Sequence, residues 1–141
     1  MKRSSLAVAM WVALLGACQK PKAPVGPLPA VTRPDGLSWQ TLVVGDGDVA
    51  ALNDKVEVHY EGRLSDGGVF DSTYERGHVF AFWVGQGMVI KGWDEGILGM
   101  KEGETRRLIV PPSLGYGSSP PTRKIPPGET LTFDIQLVDV R

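Results

Sequence analysis

Alternation of apolar and polar residues dominates the chain from Leu37 onward. Val56, Val58, Tyr60, Gly62 and Leu64 alternate with Glu57, His59, Glu61 and Arg63. That period of two predicts a half-buried β-strand. Asp66-Gly67-Gly68 supplies turn residues before a further extended piece at Val69-Phe70. Leu131, Phe133, Ile135 and Leu137 alternate in the same way with Thr130, Thr132, Asp134 and Gln136. Weaker strand patterns cover Ser38–Val44, Val79–Trp83 and Thr105–Val110. One short helix fits, over Lys91–Leu98: Ile90, Trp93 and Ile97 share a face, and Gly99 suits the left-handed residue that ends it. The segment from Pro111 to Gly128 reads as a proline-rich loop. Several antiparallel strands and one helix predict an α+β domain, its sheet lying on the apolar face of the helix.

The N-terminal pattern differs. Lys2 and Arg3 precede an apolar run, Leu6–Leu15, too short to span a bilayer as an ordinary helix. Leu15-Gly16-Ala17-Cys18 then resembles a bacterial lipobox, with Cys18 as the lipidated first residue of the mature chain; an ordinary signal peptide is the alternative. Residues 1–17 are therefore expected to be a lipoprotein signal peptide. Residues 18–36, carrying Pro21, Pro24, Pro27, Pro29 and Pro34, are expected to be a tether, since closely spaced prolines favour extended conformations. A proline-rich partner ligand is the sharper alternative. The folded domain is then 37–141. Attached acyl chains place the protein on a membrane of the bacterial cell envelope, on its periplasmic or outer-membrane face.

Composition narrows the function. The 141-residue chain has room for one domain plus tails. Its formal charge is −1, and it becomes −3 when Lys2 and Arg3 leave with the signal peptide. Basic residues form no stripe, which argues against nucleic acid as a partner. Cys18 is the only cysteine, so the fold holds no internal disulfide. His59 and His78 have no zinc-type spacing and read as surface residues. Gly45-Asp46-Gly47-Asp48 lacks the further ligands of a calcium loop and reads as a turn. Gly85 and Gly87 lack the third glycine of a dinucleotide fingerprint. Neither a metal nor a cofactor is expected. The domain instead carries Tyr60, Phe70, Phe80, Phe82, Trp93, Tyr116 and Phe133. Each of these aromatic residues, taken singly, reads as core.

Their order resolves this. Val58-His59-Tyr60-Glu61-Gly62, Gly68-Val69-Phe70-Asp71-Ser72 and Val89-Ile90-Lys91-Gly92-Trp93-Asp94-Glu95-Gly96 resemble successive signatures of the FK506-binding (FKBP) type of peptidyl-prolyl cis–trans isomerase. Pro111-Pro112-Ser113-Leu114-Gly115-Tyr116-Gly117, Ile125-Pro126-Pro127 and Leu131-Thr132-Phe133-Asp134 continue the series, so the resemblance spans about 37–141. It implies a curved antiparallel β-sheet wrapped around one short α-helix, with a pocket between them. It further implies that Asp71, Tyr116, Phe70, Phe133 and Trp93 carry catalysis, with Trp93 as the pocket floor. Tyr60, Phe80, Val89, Ile90 and Ile125 would bind substrate, the Ile90 N–H receiving a substrate carbonyl. The implied partners are proline-containing polypeptides, here exported ones, and FK506-like macrolides; a monomer is expected. A binding module that grips proline segments without turnover, and an envelope interaction protein, are the rival functions. Three departures from the family pattern stand out. Met88 occupies a rim position often polar in the family, Ser118–Lys124 replaces a glycine-rich loop, and the region around Tyr74 and Trp83 is too short for a chaperone insertion.

Overall fold

The computed structural model describes residues 27–141; Cys18, the apolar run and the first part of the proline-rich segment lie outside the described residues. A seven-stranded antiparallel sheet organises the chain. Its strands are β1 (Val31–Thr32), β2 (Ser38–Val43), β3 (Lys55–Arg63), β4 (Val69–Ser72), β5 (Phe80–Trp83), β6 (Thr105–Val110) and β7 (Leu131–Val140). Their spatial order is β1-β2-β6-β7-β3-β4, and β5 also pairs with β3. β4 and β5 therefore share one flank of β3: Glu61–Arg63 pair with Val69–Ser72, and Lys55–Val58 with Phe80–Trp83. Between them the chain leaves the sheet for a single helical turn, α1 (Thr73–Arg76), and the main helix, α2 (Lys91–Gly96), follows β5.

The period-two patterns translate directly into burial. Along β3, Val56, Val58, Tyr60 and Gly62 point inward, and along β7 so do Leu131, Phe133, Ile135 and Leu137. The two strands pair with Tyr60 opposite Ile135 and Gly62 opposite Phe133, so one inward row continues across the sheet. Register shifts at Thr41/Val43, Glu57/Val58 and Gly62/Arg63 are bulges, which bend a sheet locally and increase its twist. The curved sheet closes on α2, from which Gly92, Trp93 and Gly96 are buried. Gly92 and Gly96 let that helix lie directly on β6: a Cβ at position 92 would fall 2.6 Å from Val110 Cγ1, and one at 96 would fall 2.7 Å from Leu108 Cδ2.

Four details depart from the sequence reading. β1 lies inside the segment read as tether; Leu28 N–H donates to Thr41 C=O and Val31 sits opposite Trp39, so the sheet begins before Leu37. α1 and a 3-10 turn at Pro112–Leu114 join the single predicted helix. α2 ends at Gly96 rather than Leu98, because Arg106 Nη1 donates to the carbonyls of Gly96 and Leu98 and Gly99 N–H turns to Ala50 C=O. His59, finally, is half-buried rather than freely solvated: its ring stacks on Tyr74 with centroids 4.9 Å apart, and its Nδ1 lies 2.9 Å from Thr73 Oγ1.

Arg106 belongs to a buried polar network under the sheet. Its Nε donates to Glu104 Oε2 at 2.8 Å, and the same oxygen accepts from Thr41 Oγ1 at 3.0 Å. The guanidinium also sits 5.8 Å from the centroid of the Trp39 ring. An inward arginine on β6 thus couples the helix end to the sheet.

Candidate functional site

Trp93 is where α2 meets the inward row of the sheet. Tyr60 packs edge-on against it with ring centroids 4.7 Å apart, and Phe133 does so at 5.2 Å. Phe80 and Phe82 flank the same indole at 6.1 and 5.7 Å. Edge-to-face pairs of this kind add roughly 0.5–1.5 kcal/mol each beyond area burial, so the floor is rigid. The Trp93 indole N–H is buried and has no acceptor among the described residues. Phe70 closes the wall beside Phe133, its ring centroid 5.7 Å away. Gly62 makes that approach possible, since a Cβ there would fall 2.7 Å from Phe70 Cζ and 3.0 Å from Phe133 Cε1.

These rings surround a cavity of about 140 Å³. That is small beside the roughly 300–1,000 Å³ of sites for drug-sized ligands, and it suits a ring-sized side chain. Val89, Ile90 and Met88 form one rim and Tyr116 another. The rim loop is held by Asp94, whose carboxylate accepts from the N–H groups of Gly85 (2.8 Å) and Gly87 (3.1 Å). Ile90 caps α2 with extended backbone (φ −60°, ψ 152°), and its N–H donates to no acceptor among the described residues. Of the ten residues expected to catalyse or bind, nine line this cavity. Ile125 does not; it is buried in the Pro111–Gly128 loop and lines a neighbouring groove.

Asp71 is the one carboxylate on the cavity wall. Its Oδ2 accepts from the Tyr60 hydroxyl and its Oδ1 from Arg76 Nη1; Arg76 Nη2 also donates to the Tyr60 oxygen at 3.3 Å. Arg76, at the end of α1, was missed in the sequence reading. α1 is docked by Thr73, whose Oγ1 accepts from the Tyr60 N–H at 2.8 Å and reaches the Tyr60 carbonyl at 3.3 Å. One helical turn stapled to β3 therefore aims the arginine back at the carboxylate five residues earlier.

Burial, then the hydrogen bond to Asp71, pushes the Tyr60 phenol up to about 12. Burial first and the Asp71 charge second also raise Tyr116. Both stay neutral O–H groups at ordinary pH. Because the Tyr60 value lies above its ordinary 10.0, its contribution to stability is complete below pH 10.0 and is lost as pH rises through about 12. Urea unfolding across that range is expected to show this alkaline decline, and Tyr60→Phe to reduce its amplitude. An unchanged decline in the variant would place its origin elsewhere.

A curved sheet over a short helix thus encloses an aromatic cavity whose single carboxylate is tied to a phenol and a guanidinium. The model of FKBP-type peptidyl-prolyl cis-trans isomerases matches residues 47–138, and the chain belongs to that family. It is 56% identical over 93 residues to peptidyl-prolyl cis-trans isomerase FKBP15-2 of Arabidopsis thaliana, which covers 64% of this chain and 56% of the relative. FK506-binding protein 1A of Neurospora crassa is 46% identical over 108 residues, covering 76% of this chain and 90% of the relative. Several of the curated relatives are longer: the chain spans about three fifths of the length of FKBP15-2 and FKBP15-1. Among solved structures, the crystal structure of AtFKBP13 superposes with a TM-score of 0.74 at 38% identity, covering 81% of this chain and all of that one. FkpA from Escherichia coli gives 0.73 at 35% identity, covering 94% of this chain and 57% of that one.

Proposed function

We propose that this chain is an active prolyl isomerase that twists Xaa-Pro bonds of exported polypeptides in the Trp93 pocket, held at a bacterial membrane through a lipid on Cys18. The observation that carries the isomerase reading is the cavity itself: aromatic walls, and a carboxylate whose charge is matched by Arg76 and which accepts the Tyr60 hydroxyl. Rotation about a peptide bond meets a barrier of roughly 18–20 kcal/mol because amide resonance must break. No bond to the substrate needs to form. A twisted amide has lost its charge separation, so an apolar cavity disfavours the planar form relative to it.

The proposed roles are those that the family resemblance implies. Trp93 supports the proline ring, and Phe70, Phe80, Phe133 and Tyr60 select its twisted geometry. The Ile90 N–H takes a substrate carbonyl, and the Tyr116 hydroxyl holds the substrate backbone. Asp71 acts through its fixed charge and carries no proton. FK506 would occupy the same cavity. The lipid anchor, the monomeric state and the envelope location rest on the Lys2-to-Cys18 pattern and on composition.

NMR exchange measured on short Xaa-Pro peptides with residues 19–141 tests the reading. The wild type is expected to accelerate cis–trans exchange, FK506 to block it, and Asp71→Ala and Phe133→Ala each to slow it. A folded wild type that binds proline peptides without accelerating exchange would leave a tethered binding module in its place. Labelling with a radioactive fatty acid, lost in Cys18→Ser, tests the anchor separately.

A further inference from the structure

A second groove, of about 260 Å³, opens directly off the aromatic cavity. Phe70, Asp71 and Tyr116 belong to both. The far side of the groove comes from the Pro111–Gly128 loop, through Pro121, Thr122, Lys124 and Ile125. The three shared residues place the groove beside the cavity, where the flanking part of a polypeptide would lie with its proline ring in the cavity.

The loop wall is well fixed. Ile125 is 4% exposed and anchors it in the core. Gly128 N–H donates to Gly117 C=O at 2.8 Å and closes its base. The Thr122 hydroxyl accepts from the Lys124 N–H at 3.2 Å, setting the turn that presents the lysine. Prolines at 120, 121, 126 and 127 restrict the remaining backbone.

Charge along the groove has one sign left over. Asp71 is matched by Arg76 and by the Tyr60 hydroxyl. Lys124 makes no ion pair among the described residues, and neither does Arg123 beside it. The loop from Ser118 to Gly128 has no acidic residue. The next carboxylate, Glu129, accepts from the Ser65 N–H at 2.8 Å and from the Ser65 hydroxyl.

We propose that this groove is a flanking subsite that takes an acidic side chain of the bound polypeptide, with Lys124 as its counter-charge. The proposal rests on the isomerase reading for the register of the chain, since the proline must sit in the adjoining cavity. It makes the enzyme selective for clients with Asp or Glu close to the isomerised proline.

The test is a peptide series with Glu, Gln or Leu placed in turn at the two positions on either side of an Xaa-Pro pair. Catalysed exchange and binding are both read by NMR, at low and at 0.5 M salt. At one position Glu is expected to exceed Gln about two- to fivefold in kcat/KM or affinity, the range of a partly exposed ion pair. The advantage should shrink with salt, vanish in Lys124→Gln and reverse in Lys124→Glu. Equal Glu and Gln at every position would overturn the proposal. A preference for Leu alone, or a Glu preference that survives Lys124→Gln, would do the same. Absence of catalysed exchange for every peptide sinks the isomerase reading instead, and the binding ratio then still decides the subsite.

Discussion

Replacing Arg106 with leucine is expected to destabilise the domain by about 3–5 kcal/mol, the cost of stripping one partner from a buried ion pair. Both side chains are well shielded, at 10% exposure for Arg106 and 7% for Glu104. Removing the arginine leaves the Glu104 carboxylate with Thr41 Oγ1 and the Lys101 N–H as its remaining donors. It also strips the donor from the Gly96 and Leu98 carbonyls at the end of α2. The double variant Glu104→Gln/Arg106→Leu separates these effects. A glutamine can keep the contacts to Thr41 and Lys101 without a charge, so the double variant should recover much of the loss. Urea unfolding curves provide the measurement. If the double variant is no more stable than Arg106→Leu, the buried charge is not the source of the loss and the helix-end hydrogen bonds are. Because α2 carries Trp93, loosening its C-terminal end should also weaken the pocket in the fraction that stays folded.

The second large effect is functional and needs only one added methyl group. Gly62→Ala places a Cβ 2.7 Å from Phe70 Cζ and 3.0 Å from Phe133 Cε1, so a ring must move. Phe133 is 3% exposed and fixed by Trp93, Tyr60 and Phe70, whereas Phe70 is only partly buried at the cavity wall. Phe70 therefore moves, and the cavity beside it changes shape. Overpacking of this kind costs about 1–3 kcal/mol of stability. A displacement near 1 Å at a positioning group can cost as much as about 10²-fold in rate, and a fall of that order in kcat/KM is expected for Xaa-Pro peptides. Comparison with Phe70→Ala, which removes the ring, shows whether misplacement or absence matters more. Wild-type turnover in a folded Gly62→Ala protein would remove Phe70 from the account of the site.

What could be read from the chain beforehand depended on the range of the interaction. β3 and β7 were legible because each buries one face, so every second residue from Val56 to Gly62 and from Leu131 to Leu137 had to be apolar or small. The aromatic lining was legible only as an ordered series; singly, Phe80 and Phe133 look like any core residue. Arg76 left no such trace. It is exposed, on a helix of four residues that is too short to show a period, and its meaning depends on Thr73 docking that turn against Tyr60. β1 was hidden for a similar reason, being two exposed residues among prolines that pair with the edge of β2. The Asp94 carboxylate that holds Gly85 and Gly87, and Glu129 reaching Ser65, join segments brought together by the fold, and nothing in the local pattern of either announces the partner.

β7 lies between β6 and β3 near the middle of the sheet, yet it is the last of the seven strands to leave the ribosome. Until Leu131–Val140 has been made, β3 and β6 have no strand between them, and the inward row that supports Trp93 lacks Phe133. Pairing of residues so distant in sequence must overcome a large loop-closure entropy first, which slows folding. The nascent chain thus has no complete aromatic pocket until β7 has been made. A protein whose proposed work is to speed the folding of other chains must itself wait for the seventh strand of this sheet.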